Sequence, residues 1–281
     1  SFKGTSLSLQ NPDASDSFFG NFDLYLSEAF WGVIYLAAIL AVLALMILLS
    51  VYCLQGKLLF LGERFEERHS ESLLRIPVDP GDRGMDFENV WITTKDNCKL
   101  HGWLVKIDGE HPLDCRTVIA YHGSGGCVQS RLPQIEFMVK HIKVNVLMVD
   151  YRSFGKSTGS PTEKGLYIDT MATFEYALSR EDVISPDRLY IYGNSLGGAA
   201  AIYLASKRSA NLKGAIIENT FKSLATILDD TMPMYAAIRP LVLSMRFPSI
   251  NRVGNIEAPC LFLIGKQDPV VPNSHMEELY Q

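Results

Sequence analysis

The sequence predicts an α/β fold in which a mostly parallel sheet is covered by helices on both faces. Short runs rich in Val, Ile and Leu alternate with longer stretches of helical pattern, as is typical of parallel strands joined by crossover helices. The strand runs are almost wholly apolar, which indicates strands buried on both faces. A chain of 281 residues is long enough for one such domain and an appendage.

The predicted elements begin with an antiparallel hairpin and continue as alternating strands and helices. Two β-rich runs, 87–94 and 100–107, flank a polar turn and predict the hairpin. The parallel strands are predicted at 117–121, 145–151, 188–192, 213–217 and 260–264. The helices are predicted at 132–141, 163–180 and 197–207.

An uncharged segment, 29–56, precedes the predicted domain and is long enough to cross a membrane. About twenty apolar residues span a hydrocarbon core of roughly 30 Å, and aromatic residues such as Trp31 and Tyr52 lie near the two ends of the segment. The alternative is a secretory signal peptide, whose apolar region is usually about 7–15 residues and lies closer to the start. The segment is therefore predicted to be a single transmembrane anchor after an N-terminal tail, 1–28.

The basic residues around the anchor favour a cytosolic domain. Lys3 is the only Lys or Arg before the span. Four cations follow the span closely: Lys57, Arg64, Arg68 and Arg75. The chain does not begin with Met, so preceding residues could reverse this orientation, and the organelle stays open. Segment 57–84 is charged and turn-rich and is predicted to be a linker, which leaves 85–281 as the folded domain.

The composition argues against nucleic acid, metal or cofactor as partners. The formal net charge is −5, and Lys and Arg do not interleave with aromatic residues as in a nucleic-acid groove. The five cysteines are scattered, without a spacing suited to zinc. Two glycine-bearing loops lack the glycines that nucleotide-binding loops need, because Val128 and Asp150 occupy those positions.

Ser195 is the predicted nucleophile. It is the central residue of Gly193-Asn194-Ser195-Leu196-Gly197, between a predicted strand and a predicted helix. A strand, a tight turn and a helix in this order hold the serine in a strained, exposed conformation, and the glycines remove side chains that would collide there. The alternative is a helix entry of small residues that packs against the sheet and has no chemical role.

Backbone N–H groups near Ser195 are predicted to form an oxyanion hole. The sequence HGSGG at 122–126 follows the strand 117–121, and the carboxyl ends of parallel strands meet at one sheet edge. The N–H groups of Ser124 and Leu196 are the predicted donors. The first residue of this loop, His122, is predicted to hold the loop in shape rather than to act as the general base.

Asp268 is the predicted acid that orients a catalytic histidine. It follows the strand 260–264 in a turn at the same sheet edge, and it comes after the serine in the chain. The alternative is an aspartate that only caps a turn before Pro269. Glu218 is the second candidate for the acid, whereas Asp150 precedes the serine and is predicted to be structural.

Five motifs occur along the predicted domain: HGSGG at 122–126, VDYRSFGKS at 149–157, GNSLGG at 193–198, ENTF at 218–221 and GKQD at 265–268. Together they resemble the membrane-anchored serine hydrolases of the alpha/beta-hydrolase domain-containing protein 13 type, whose relatives include enzymes that remove palmitoyl groups from protein cysteines. The resemblance implies an α/β-hydrolase fold, Ser195 as nucleophile, Asp268 as acid, and an acyl ester or thioester as substrate.

The same resemblance places the catalytic histidine after a further strand, beyond Asp268. Only His275 follows this acid, in the predicted helix 273–281. It is too close in sequence to reach between Ser195 and Asp268. The last strand and helix of the fold are therefore expected to be missing from this chain, which is expected to be inactive by itself because loss of a triad member costs several orders of magnitude in rate.

Segment 222–255 is predicted to be a lid over the site. It is rich in Leu, Ile and Met without one clean helical period, and methionines suit a flexible acyl chain. The alternative is a helix pair packed on the core.

The predicted partners are a lipid bilayer and an acylated lipid or acylated protein. The competing functional hypothesis is a membrane-tethered interaction module that keeps the fold without catalysis.

Overall fold

A long N-terminal helix precedes the folded domain. The computed structural model describes residues 13–62 and 79–281, and the first helix, α1, runs over Asp13–Leu59. Its stretch Phe30–Lys57 contains an 18-residue window with a mean hydropathy of 2.9, and this window is not buried inside the protein. By length and composition this stretch can cross a membrane. Residues 1–12 of the predicted tail and residues 63–78 of the predicted linker lie outside the described residues.

Seven strands form the main sheet. Their bounds are β2 Asp86–Thr93, β3 Lys99–Lys106, β4 Thr117–Tyr121, β6 Asn145–Val149, β7 Leu189–Asn194, β8 Gly214–Glu218 and β9 Cys260–Leu263. The order across the sheet is β2-β3-β6-β4-β7-β8-β9. β2, β3 and β6 pair antiparallel, whereas β6, β4, β7, β8 and β9 are parallel. The predicted α/β fold is therefore confirmed, including its hairpin.

The helices that connect these strands match the predicted helical stretches. Their bounds are α2 Leu132–Phe137, α3 Glu163–Ser179, α4 Leu196–Arg208, α5 Leu224–Thr231, α6 Arg239–Val242, α7 Ile250–Val253 and α8 Asn273–Tyr280. The predicted helix 132–141 is divided, because a π-helical turn, Met138–Ile142, follows α2. The three short helices α5, α6 and α7 lie in the predicted lid.

Both faces of the sheet are packed against helices. Alternate residues of a strand point to opposite faces: Ile119 of β4 packs in the cluster that contains α3 and α4. Its neighbours Val118 and Ala120 pack with Leu132 and Ile135 on the other face. The second face is only partly covered, since an apolar groove of about 540 Å³ lies beside α2 and reaches β9, the last strand of the sheet.

The last turns of α1 belong to the folded domain. The chain divides into two units between Val51 and Tyr52, and Phe60 is buried among Phe154 and Phe247, with ring centroids 6.1 and 6.3 Å apart. A two-residue strand, β1 (Leu61–Gly62), pairs in parallel with β5 (Gly125–Gly126). The predicted linker 57–84 thus contributes to the core at its start. Local sequence does not reveal this contribution, because the contacts are with residues far away in the chain.

Candidate active site

Ser195 has the backbone conformation that the elbow motif predicts. It lies between β7 and α4 with φ 53° and ψ −118°, a region that residues with a side chain rarely adopt and that marks strained functional positions. Four hydrogen bonds hold it: Ser195 N donates to Glu218 O (3.0 Å), and Ser195 O accepts from Gly198 N (2.9 Å), Ala199 N (3.4 Å) and Thr220 Oγ1 (2.6 Å). The strain is therefore maintained by β8 and by the first turn of α4.

The two flanking glycines are required by close backbone approaches. A Cβ atom on Gly197 would lie 1.9 Å from the carbonyl oxygen of Tyr121. A Cβ atom on Gly193 would lie 2.2 Å from the carbonyl oxygen of Gly197. Real side-chain atoms do not fit at such distances, so the sharp turn between β7 and α4 needs both glycines.

The loop after β4 runs directly against the turn at Ser195. A Cβ atom on Gly123 would lie 3.3 Å from Asn194 Oδ1 and 3.5 Å from Ser195 Cβ, so this loop is within van der Waals reach of the elbow. Ser124 is the next residue and is half-buried. Leu196 is the first residue of α4, so its N–H has no acceptor within the helix and carries the positive end of the helix dipole. The two predicted oxyanion donors thus belong to backbone segments that meet at Ser195.

His122 is buried beneath this loop. Its Nδ1 donates to the carbonyl oxygen of Gly123 (2.8 Å), and its Nε2 lies 3.4 Å from Asp150 Oδ1. The hydroxyl of Tyr151 donates to the carbonyl oxygen of His122 (2.9 Å), and burial raises the pKa of Tyr151 well above its ordinary value, so this donor keeps its proton. The geometry is that of a residue that supports the loop, as the sequence predicted.

Asp268 lies at the same sheet edge as Ser195, in the turn after β9. Its Oδ1 accepts from Val270 N (2.8 Å) and Val271 N (3.0 Å), which is the turn-capping geometry of the alternative interpretation. Neither bond uses Oδ2. Because β7, β8 and β9 are adjacent, the strand that leads into this turn is two strand spacings, about 10 Å, from the strand that leads into Ser195. Both turns therefore follow the carboxyl ends of nearby parallel strands.

Asn219 fixes the start of this acid turn, and the sequence did not single it out as an individual residue. It directly follows β8 with φ 42°, and its Oδ1 accepts from Gly265 N (2.7 Å). Asp268 N in turn donates to Gly265 O (3.0 Å). The ENTF motif was a signal for this position, although its contact with the turn after β9 is visible only in the fold.

Glu218, the second candidate for the acid, is hydrogen-bonded to a residue of the neighbouring strand β7. Its carboxylate accepts a hydrogen bond from the hydroxyl of Tyr192, which also accepts from Gln134 Nε2 (2.8 Å). Burial and this carboxylate raise the pKa of Tyr192, so the tyrosine stays a donor. Glu218 lines the apolar groove beside α2, which favours Asp268 as the acid of the site.

His275, the histidine nearest to Asp268 in sequence, is bonded elsewhere. Its Nε2 lies 2.8 Å from Asp230 Oδ2, and its Nδ1 accepts from Lys222 N (3.2 Å). Burial lowers the pKa of this imidazole. Both ring nitrogens of His275 therefore form hydrogen bonds that hold α8 against the segment around α5. Neither ring nitrogen is hydrogen-bonded to Ser195.

Comparisons with known proteins agree with this fold. A family model described as the alpha/beta hydrolase fold matches residues 116–249. Over 217 residues the chain is 30% identical to the alpha/beta hydrolase domain-containing protein WAV2 of Arabidopsis thaliana, covering 73% of this chain and 69% of that protein. Over 256 residues it is 30% identical to protein bem46 of Schizosaccharomyces pombe, covering 91% and 84%. The chain belongs to the alpha/beta-hydrolase family.

This alpha/beta hydrolase is also similar to a membrane protein and to an esterase of known structure. It is 33% identical over 204 residues to the membrane protein YNL320W of Saccharomyces cerevisiae, covering 72% of this chain and 70% of that protein. The esterase Pf2001 of Pyrococcus furiosus has a TM-score of 0.61 and 25% identity, covering 78% of this chain and 82% of that chain. These findings support hydrolase activity in general.

A buried ion pair stabilises the loop after β6 in this alpha/beta hydrolase, and its rupture has a predictable cost. Arg152 Nη2 donates to Asp169 Oδ1 (2.8 Å), and the same guanidinium reaches the more exposed Asp96. We expect Asp169→Ala to lower the free energy of unfolding by about 3–5 kcal/mol, because it leaves a buried cation without its main partner. The control, Asp96→Ala, is expected to cost about 1 kcal/mol or less. Urea unfolding of both variants measures the difference, and equal costs would contradict this account of the pair.

Proposed function

We propose that this chain is the membrane-anchored part of a serine hydrolase that cleaves acyl esters or thioesters of lipophilic substrates, with palmitoyl-protein thioesters as candidates. The observation that carries the proposal is the strained elbow at Ser195, flanked by the N-terminus of α4 and by the loop at Gly123. In this arrangement a nucleophile and two backbone segments with N–H groups surround one position, where the acyl carbonyl would bind. Acyl transfer requires such an arrangement.

In the proposed reaction, Ser195 Oγ attacks the acyl carbonyl carbon while a histidine accepts the hydroxyl proton. The N–H groups of Leu196 and Ser124 stabilise the negative charge on the carbonyl oxygen. The histidine then donates its proton to the leaving alcohol or thiol, and the acyl group stays on Ser195. Water, activated by the same histidine, releases the acid, and Asp268 holds the imidazole in the correct orientation throughout.

We further propose that the histidine comes from a chain segment beyond Gln281. Within the described ranges, β9 is an edge strand with Leu261 and Leu263 exposed, and the apolar groove beside it is open. A following strand that pairs with β9 would satisfy this edge and end beside the turn of Asp268. A histidine after such a strand would enter the space between Asp268 and Ser195.

Lipophilic substrates are favoured by the surroundings of the site. The stretch Phe30–Lys57 can hold the domain at a bilayer, and the lid follows β8 through Thr220, which bonds to Ser195. The lid contains soft, flexible methionines that adapt to acyl chains. An acyl group drawn from the membrane is therefore the substrate that the architecture suits best.

The choice of acid is tested by a pair of carboxamide variants in the full-length protein. We expect Asp268→Asn to lower kcat for a soluble ester by about 10³–10⁴-fold, because the imidazole loses its orienting partner. The matched variant Glu218→Gln is expected to stay within about tenfold of the wild type, because its partner is Tyr192. If the two effects are reversed, Glu218 is the acid.

The substrate class is tested by giving the purified full-length protein matched palmitoyl thioesters and palmitoyl glycerols in mixed vesicles. The proposal predicts turnover of at least one class and its loss in Ser195→Ala. The competing function, an interaction module without catalysis, is favoured by the engagement of both ring nitrogens of His275. A full-length sequence with no histidine after Gln281, together with no turnover, would establish that competing function.

A further inference from the structure

The middle of the lid exposes an apolar surface with almost no charge. We name this surface, residues 232–243, the lid tip. Met232 is 56% exposed, Met234 is 94% exposed and Leu241 is 67% exposed. The lid tip contains one charged residue, Arg239, whose guanidinium is paired with Asp229 just before the tip. An uncharged apolar surface of this kind marks a site for a partner rather than for bulk water.

The last turn of α1 docks at the end of the lid tip. Gln55 Oε1 accepts from Ser244 N (2.9 Å) and Met245 N (3.4 Å), and Gly56 packs against the end of the Met245 side chain. Gln55 is four residues, or about 6 Å along the helix, from Val51. The stretch that can span a membrane therefore continues directly into the contact with the lid.

Exposed cations border this contact. Lys57 follows Gly56 and Arg246 follows Met245, and both side chains are exposed. Basic residues beside an apolar surface are the pattern of a segment that lies at the level of lipid headgroups, where apolar side chains enter the acyl region and cations contact phosphates.

We propose that the lid tip is a second membrane contact, inserted into the lipid bilayer beside the docked residues Gln55 and Gly56. The occupant is the lipid bilayer, because the apolar tip is continuous with the segment on which the end of α1 is docked. The inference rests on the proposed placement of Phe30–Lys57 in a membrane, and it deepens the proposed function by giving the substrate's entry point. An acyl chain in the bilayer would then contact the lid directly, without passing through water.

The proposal is tested by spin labels on the full-length protein in phosphatidylcholine vesicles. The background carries Cys53→Ser and Cys260→Ser, because these free cysteines are not buried. Labels are placed by Met234→Cys at the lid tip, by Leu49→Cys in the anchor, and by Asp187→Cys as the control. Asp187 lies just before β7, at the opposite sheet edge, and its side chain is 92% exposed, which matches Met234.

The readout is the ratio of collisions with oxygen to collisions with a water-soluble nickel complex. Oxygen concentrates in the acyl region and the complex stays in water, so we expect a several-fold higher ratio at position 234 than at position 187, and a high ratio at position 49. A high ratio at 49 with equal ratios at 234 and 187 overturns the lid contact and leaves the anchor intact. Low ratios at both 49 and 234 overturn the membrane placement and the lid contact together. A label at 234 shielded from both reagents shows that protein covers the tip, which also overturns the proposal.

Discussion

Replacement of Ser195 by alanine in the full-length protein is expected to abolish turnover of esters, with a loss of at least about 10⁴-fold in kcat. The change removes only Oγ, and the four hydrogen bonds that hold the residue use its backbone. The fold and the binding of substrate are therefore expected to persist. Steady-state kinetics with a soluble ester, compared with circular dichroism of the same preparation, measures both.

The matched control for this prediction is Ser124→Ala. The proposed role of Ser124 uses its backbone N–H, which alanine keeps, so we expect activity within about tenfold of the wild type. If Ser124→Ala is as damaging as Ser195→Ala, the hydroxyl of Ser124 has a chemical role that the proposed mechanism does not contain. If Ser195→Ala keeps activity, Ser195 is not the nucleophile.

Replacement of Gly197 by alanine is expected to destabilise the domain by about 3 kcal/mol or more. The new Cβ atom would lie 1.9 Å from the carbonyl oxygen of Tyr121, and backbone on both sides would have to move. The movement would separate α4 from β4 and displace the elbow. We expect a lower midpoint of thermal unfolding together with loss of activity.

Gly254→Ala is the control for this second prediction. Gly254 has φ −64° at the end of α7, and a Cβ atom there meets nothing within 4 Å. Alanine is expected to leave the midpoint unchanged or to raise it slightly, because it reduces the freedom of the unfolded chain. Equal destabilisation by the two substitutions would show that the close approach at Gly197 does not limit the elbow.

Most of the sheet could be predicted because its strands are local apolar runs with clear ends. The predicted strand 117–121 is β4 with the same bounds, and the hairpin differs by one residue at each end. The elbow could also be predicted, because a glycine pattern between a strand and a helix specifies its own geometry. The fold and the elbow are thus encoded in short segments.

The supports of the site could not be predicted, because each joins residues far apart in the chain. The ring of His275 is bonded to Asp230, 45 residues earlier, and β1 pairs with the glycine loop at Gly125. Asn219 holds the turn of Asp268 across 46 residues. The local sequence around each of these residues does not indicate which distant residue it contacts. The geometry of the turn that contains Asp268 is therefore visible only in the structure.

The pairing of β1 with β5 connects the end of α1 to the glycine loop after β4. Leu61 is opposite Gly125, and Gly62 is opposite Gly126, directly after the predicted donor Ser124. The chain therefore passes from the end of α1, through Phe60 in the core, to the loop that carries this predicted donor.

The central claim is that Ser195 is an acyl-accepting nucleophile, and covalent trapping tests it most directly. The full-length protein is treated with a fluorophosphonate, digested, and mapped by mass spectrometry. The account predicts that the phosphonyl group is found on the peptide that contains Gly193-Asn194-Ser195-Leu196-Gly197, at Ser195, and that Ser195→Ala is not labelled. Labelling at another residue, or equal labelling of Ser195→Ala, would contradict it.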